Sequence, residues 1–205
     1  MNYLLYTIDE VHRGRSPRHQ SVERTMTRQT TDRLIALIFL ALTAAFLWQA
    51  LANPAFQDWL FARHHNILSW YIRPLLLIPV MLAAWWRSWG ALMAAIFALL
   101  TSMGWFPAPA VADDHVRQFL ADEVAFLRSG WTWTKTGYTL TVSAFFALLV
   151  GAAWHHHWRG IAAILTAAAC SKILFSLLGS GVAATAIILP ALIGLAICLA
   201  VAWRI

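Results

Sequence analysis

The sequence predicts an all-α fold: a polytopic membrane helix bundle of six transmembrane helices plus one short amphipathic surface helix. Three observations carry that prediction. Of the 205 residues, 60% are hydrophobic and only 12% are charged, whereas a soluble domain carries about 25% charged residues. The apolar residues fall into six runs, 34–52, 68–86, 89–106, 137–154, 160–178 and 183–203. Each run is close to the ~20 residues that cross a ~30 Å hydrocarbon layer as a helix, and none shows the alternation of a barrel strand. Charged residues gather in the connections, and the mean hydropathy is +0.64.

Residues 1–33 are polar, with Arg13, Arg15, Arg18, Arg24 and Arg28 and no apolar core. They cannot act as a signal peptide, whose central region must be apolar, and they read as a disordered cytoplasmic tail. Met26 opens the stretch MTRQTTDRL just before the first apolar run, so it is the expected translation start. The transmembrane domain is then 34–205.

Orientation follows from the basic residues, which favour the cytoplasmic side. With the N-terminus inside, Arg87, Arg159 and Arg204 join the tail arginines, while Arg63, Arg117, Arg128 and Lys135 share outer loops with acids. Trp85, Trp86, Trp89, Trp154, Trp158 and Trp203 form an inner aromatic belt. Trp59, Trp70, Tyr71, Trp105, Trp131, Trp133 and Tyr138 form the outer one, as rings with a polar edge do at headgroup depth. Both termini are expected in the cytoplasm of a cell whose inner membrane holds the protein. The net charge of +6 and pI near 10.0 are thereby accounted for without nucleic acid, and the bilayer itself is the expected partner.

Arg87 and Ser88 join the second and third runs almost directly, whereas the loop 107–136 is long enough to hold structure of its own. Pro107 and Pro109 stop the third helix and Asp113 can cap a new one. Val116, Phe119, Leu120, Val124 and Leu127 then recur at helical spacing, predicting an outer-surface helix over 113–128. No internal repeat stands out. The GSG at 179–181 reads as a tight turn, since no strand precedes it as a phosphate-binding loop requires.

Lys172 interrupts the fifth run and Arg73 the second, each roughly 7–9 Å inside the outer end at 1.5 Å per residue. Ionisable residues at that depth mark functional sites unless their stems carry the charge to the interface. Pro74 and Pro79 follow Arg73 and are expected to kink its helix. No transmembrane run contains an acid, so the counter-charge must come from elsewhere. Glu123 falls inside the apolar arc of the surface helix, at about 340° on a 100°-per-residue wheel started at Val116, and is expected to cap a polar pocket holding Lys172, Arg73 or both. The remaining candidates are weaker. His64, His65, His115 and Asp113 lie on the outer side as possible metal ligands, with Asp114 and Glu123 nearby in sequence, but their spacing matches no ligand motif. No motif names a cofactor, and Cys170 and Cys198 give no disulfide framework.

Three function classes fit. The most concrete is an outward-facing polar pocket binding an anionic small molecule or lipid headgroup, transporter-like or a binding protein, with Arg73 and Lys172 as anion contacts. A second is an accessory or assembly subunit that binds other membrane subunits or itself through small residues such as Gly151 and Gly194. The third is an outer-leaflet enzyme using Glu123 and Lys172 as base and electrophile or nucleophile.

Overall fold

The computed structural model describes residues 17–205, with side chains from Met26 onward. Residues 1–16 of the expected tail, and with them Arg13 and Arg15, lie outside the described residues. Among the described residues the chain is all-helical: α1 Pro17–Ala52, α2 Pro54–His64, α3 Leu68–Leu75, α4 Leu77–Trp85, α5 Trp89–Thr101, α6 Asp114–Arg128, α7 Trp133–Trp154, α8 Trp158–Ser180 and α9 Ile188–Arg204. Short 3-10 segments, Ser102–Gly104 and Gly181–Ile187, follow α5 and α8.

Four helical stretches are long and apolar enough to cross a membrane: Met26–Ala52, Leu68–Trp85, Trp133–Trp154 and Trp158–Arg204. The last is 47 residues long and contains α8 and α9, which pack against each other. Trp89–Gly104 is a shorter apolar helix.

Helix α1 is longer than the apolar run that predicts it. The polar residues 17–33, read as tail, are helical, because no breaker lies between Pro17 and Asn53. Asp32, at the polar end, then has a defined place. Its carboxylate accepts from Ser88 Oγ at 2.6 Å, Trp89 N at 3.0 Å and Gly90 N at 3.1 Å. It thereby satisfies donors that the first turn of α5 leaves open, with the charge sign that a helix N-terminus favours. Gly90 permits this approach, since a Cβ there would lie 2.8 Å from the Asp32 carbonyl oxygen.

The second apolar run breaks at Leu76, between α3 and α4. Pro79 has no N–H for the Leu75 carbonyl, and the Leu76 N–H turns back to Arg73 O and Ile72 O. Helix α9 packs on this break: a Cβ on Gly194 would lie 2.3 Å from Pro74 Cβ, and the Cys198 thiol donates to Pro74 O at 3.3 Å.

At the end of the bundle holding the 85–90 and 154–160 turns, two hairpin connections are built alike. Ala83-Ala84-Trp85 and Ala152-Ala153-Trp154 each lead into a residue of positive φ, Arg87 at 55° and His156 at 57°, and then to Trp89 and Trp158. In the first turn, Arg87 N donates to Ala84 O and Ser88 N to Ala83 O. In the second, His156 N donates to Ala153 O and His157 N to Ala152 O, so both are the same C-terminal capping motif. The turns also brace each other reciprocally. Arg87 Nε donates to Trp154 O at 3.3 Å and His156 Nε2 to Trp85 O at 2.9 Å. Trp85 stacks on His156 and Trp89 packs on Trp154. Side chains that make these bonds explain why neither left-handed position is glycine, despite a cost of roughly 1–2 kcal/mol for an L-residue there. The Ala-Ala-Trp-x3-Trp pattern thus occurs at both turns, a local likeness too short to be an internal repeat.

Two apolar cores result. One, including Val80, Met81, Leu92, Leu149, Ile161, Leu165 and Cys198, fills the bundle beneath the braced turns. The other, at the opposite end, gathers Phe61, Trp70, Val116, Phe119, Leu120 and Ile187 beneath α6.

Candidate functional site

Helix α6 lies where the long loop is expected to place it. Asp113 caps it by accepting from His115 N and Val116 N, and Val116, Phe119 and Leu120 are buried, whereas Leu127 is exposed. Its C-terminal end is tied down twice. Arg128 donates to Gln57 Oε1 at 2.8 Å and pairs with Asp58. Lys135, which reads as a loop charge in the sequence, is buried, and its ammonium donates to Leu127 O and Ser129 O. A cation is well placed on the last carbonyls of a helix.

With α6 fixed in this way, Glu123 faces the bundle and its Oε1 accepts from Lys172 Nζ at 2.8 Å. Lys172 shares a face of α8 with the buried Ile161, Leu165 and Ser176, spaced four and seven residues along the helix. Its side chain is 40% exposed, and its ammonium is turned toward α6, away from the exposed Leu174 and Leu178. Its ammonium also lies 5.3 Å from the Phe119 ring centroid, within cation–π range.

Arg73 is linked to the same region through His64. Phe119 packs edge-on to Trp70 at 5.5 Å, and Trp70 Nε1 donates to His64 O at 2.8 Å. Arg73 Nη1 donates to His64 Nε2 at 3.3 Å. Because arginine has only donors, that nitrogen must accept, so the proton is on Nδ1. From there it is donated to Ser69 Oγ at 2.8 Å, and Ser69 donates to Asn66 O at 2.7 Å. Burial, with Arg73, Lys172 and His65 close by, pushes the His64 imidazole down to about 2, so His64 is neutral and supplies no charge. Glu123 and Tyr138 lie within electrostatic reach of Arg73, yet among the described residues no carboxylate comes within ion-pair distance of it.

Arg73, Lys172 and Glu123 are thus brought to one end of the bundle, with Glu123 paired to Lys172 and not to Arg73. The cavity beside α6, about 200 Å3, is lined by His65, Asn66, Pro109, Asp113 and Val116 among others, and neither cation is among its lining residues. The Lys172 and Glu123 side chains are both partly exposed, at 40% and 33%.

The metal candidates do not converge. Among the described residues no group of three His, Cys, Asp or Glu side chains is placed to hold an ion. Both ring nitrogens of His64 are engaged, His65 Nδ1 donates to Phe61 O, and the Asp113 carboxylate caps α6. His64 instead serves as the partner of Arg73, a role for which the sequence offers no signal beyond its nine-residue separation. Ser176 is one of the polar residues that the sequence places in the outer half of the helices. Its side chain is buried and its Oγ has no hydrogen-bond partner, whereas Thr141 and Thr166 donate to carbonyls of their own helices.

Comparison with protein-family models, curated proteins and solved structures gives no match.

Proposed function

We propose that the chain is a six-pass inner-membrane protein with both termini in the cytoplasm, and that its outer end binds an anion, either a small molecule or a lipid headgroup, through Arg73 and Lys172. Support for six passes comes from the 47-residue stretch, which holds two packed helices, and from α5, which pairs with α4 through a turn like that joining α7 and α8. The inward side is the one with the braced tryptophan turns, Arg87, Arg159 and Arg204, in keeping with the bias of basic residues.

The observation that carries the binding reading is a charge imbalance. Arg73 and Lys172 contribute +2 and Glu123 −1, so the cluster keeps +1, and the hydrogen-bond partner of Arg73 is a neutral imidazole. Both cations are half-buried, and a charge partly withdrawn from water without a full counter-charge carries a cost that a bound anion lowers. Lys172 Nζ is engaged by the Glu123 carboxylate at 2.8 Å, an ion-pair geometry that favours binding over covalent chemistry.

The test is thermal unfolding of the purified protein with a panel of anions. Wild type is expected to be stabilised by the bound anion, and Lys172→Met and Arg73→Met to lose that gain. Equal shifts in wild type and both variants would refute the site.

A further inference from the structure

We propose that the Glu123 carboxylate is a tethered occupant of the anion site, and that the natural ligand is a phosphate monoester dianion that displaces it from Lys172. The proposal rests on the anion-binding reading above and names the ligand chemistry and the competitor.

A ligand carboxylate gains little here. It would exchange one single negative charge for another that already sits 2.8 Å from Lys172 Nζ and needs no association entropy to be there. A competitor that wins must bring more charge or more acceptor oxygens. With Glu123 turned away, Arg73 and Lys172 present +2, which a doubly charged phosphate neutralises and a carboxylate or a phosphodiester does not. The donors are also in excess of what the cluster uses. Arg73 has five N–H groups and can meet two oxygens at once, but among the described residues its hydrogen bond is to His64. The fork of Arg73 and the point charge of Lys172, both within electrostatic reach of His64, suit a group with three free oxygens better than a planar one with two.

Displacement does not require α6 to leave the bundle. The Glu123 side chain is already 33% exposed, so a change of rotamer carries its carboxylate to solvent. Val116, Phe119 and Leu120 stay buried, and the ties of Arg128 to Gln57 and Asp58 hold the C-terminal end. In the structure the Glu123 carboxylate occupies the position on Lys172 that the ligand would take.

The distinguishing variant is Glu123→Gln, which removes the competing charge and keeps the size. Binding to the purified full-length protein is measured by calorimetry and thermal shift. The probes are inorganic phosphate, glycerol 3-phosphate, vesicles containing phosphatidic acid (a monoester) and vesicles containing phosphatidylglycerol (a diester). E123Q is expected to tighten monoester binding about tenfold, equivalent to about 1.4 kcal/mol, with the diester vesicles weaker in both proteins. Gain with phosphatidic acid alone identifies a lipid headgroup, and gain with the soluble phosphates as well identifies a free phosphate ester. Equal or weaker monoester binding by E123Q overturns the tethered-occupant proposal, even where Lys172→Met abolishes binding and the anion-site reading survives. Indifference of every anion to Lys172→Met brings down the underlying reading instead. Should E123Q fold poorly, Glu123→Asp, whose carboxylate is one methylene further from Lys172, is expected to shift affinity in the same direction, and no gain there counts against the proposal.

Discussion

Gly194→Ala tests the packing that positions Arg73. An added Cβ would lie 2.3 Å from Pro74 Cβ and 2.5 Å from Pro74 Cγ, where carbon atoms settle at about 3.5–4.0 Å. Neither partner can yield by side-chain rotation, since one is a helix backbone position and the other a proline ring, so α9 must back away from α3 by more than ~1 Å. Overpacking of this kind costs about 1–3 kcal/mol, and the separation also breaks the bond from the Cys198 thiol to Pro74 O. A loss of about 2–3 kcal/mol lowers the melting temperature of a chain this size by about 5–10 °C. Unfolding in mild detergent, followed by tryptophan fluorescence, reads the shift directly. Gly151→Ala is the control, since nothing lies within 4 Å of a Cβ there, and it is expected to be neutral or stabilising by up to about 1 kcal/mol from helix propensity. Should Gly194→Ala melt with Gly151→Ala, the α3–α9 contact is not the close crossing described, and the position of Arg73 needs another cause.

Two further perturbations reach other parts of the fold. Asp32→Ala removes the carboxylate that accepts from Ser88, Trp89 and Gly90 and is expected to cost about 1–2 kcal/mol, as loss of a helix cap does; an unchanged melting temperature would show that α1 is not anchored there. The folded-state pKa of His64 is lowered to about 2, with burial the first cause. The unfolded chain therefore takes up a proton below ~6.5 that the folded one refuses. Stability should be flat with pH above about 7 and fall by about 1.4 kcal/mol per pH unit below ~6.5 from this group; His64→Gln should flatten that acid limb, and an unaltered slope would place the lost protonation elsewhere.

What the sequence reveals divides along physical lines. The apolar runs are legible because crossing a hydrocarbon layer demands length and composition, both visible without coordinates. The position of Glu123 is legible for a similar reason: the period of α6 fixes which side chains face inward, and a carboxylate among Val116, Phe119 and Leu120 stands out. Helix α1 is not legible over 17–33, because nothing in a polar stretch without breakers distinguishes helix from coil until a distant partner such as Ser88 is known. The break at Leu76 is only half legible. Pro74 and Pro79 announce a disturbance, but its place depends on which carbonyl finds another donor. The partnership of His64 with Arg73 is invisible, since it joins two elements across a turn whose geometry no local pattern sets. The paired tryptophan turns could be found by aligning Ala-Ala-Trp-x3-Trp with itself. The pattern is too short to stand out on composition alone.

The two ends of the bundle are held by different forces, and that difference bears on how the cations respond to a ligand. At the tryptophan turns, α4, α5, α7 and α8 are locked by capping bonds and by reciprocal contacts between Trp85 and His156 and between Arg87 and Trp154. Lys172 therefore inherits its register from a turn at the opposite end of its own helix. Arg73 inherits its own from the Gly194 crossing beyond the Leu76 break. Neither cation can move far without disturbing a packed contact that costs kilocalories to open. Glu123 projects from a surface helix, and its side chain and that of Lys172 are 33% and 40% exposed. On the proposed reading the Glu123 carboxylate is the charge that gives way to a ligand, while packed contacts hold the backbone positions of Arg73 and Lys172.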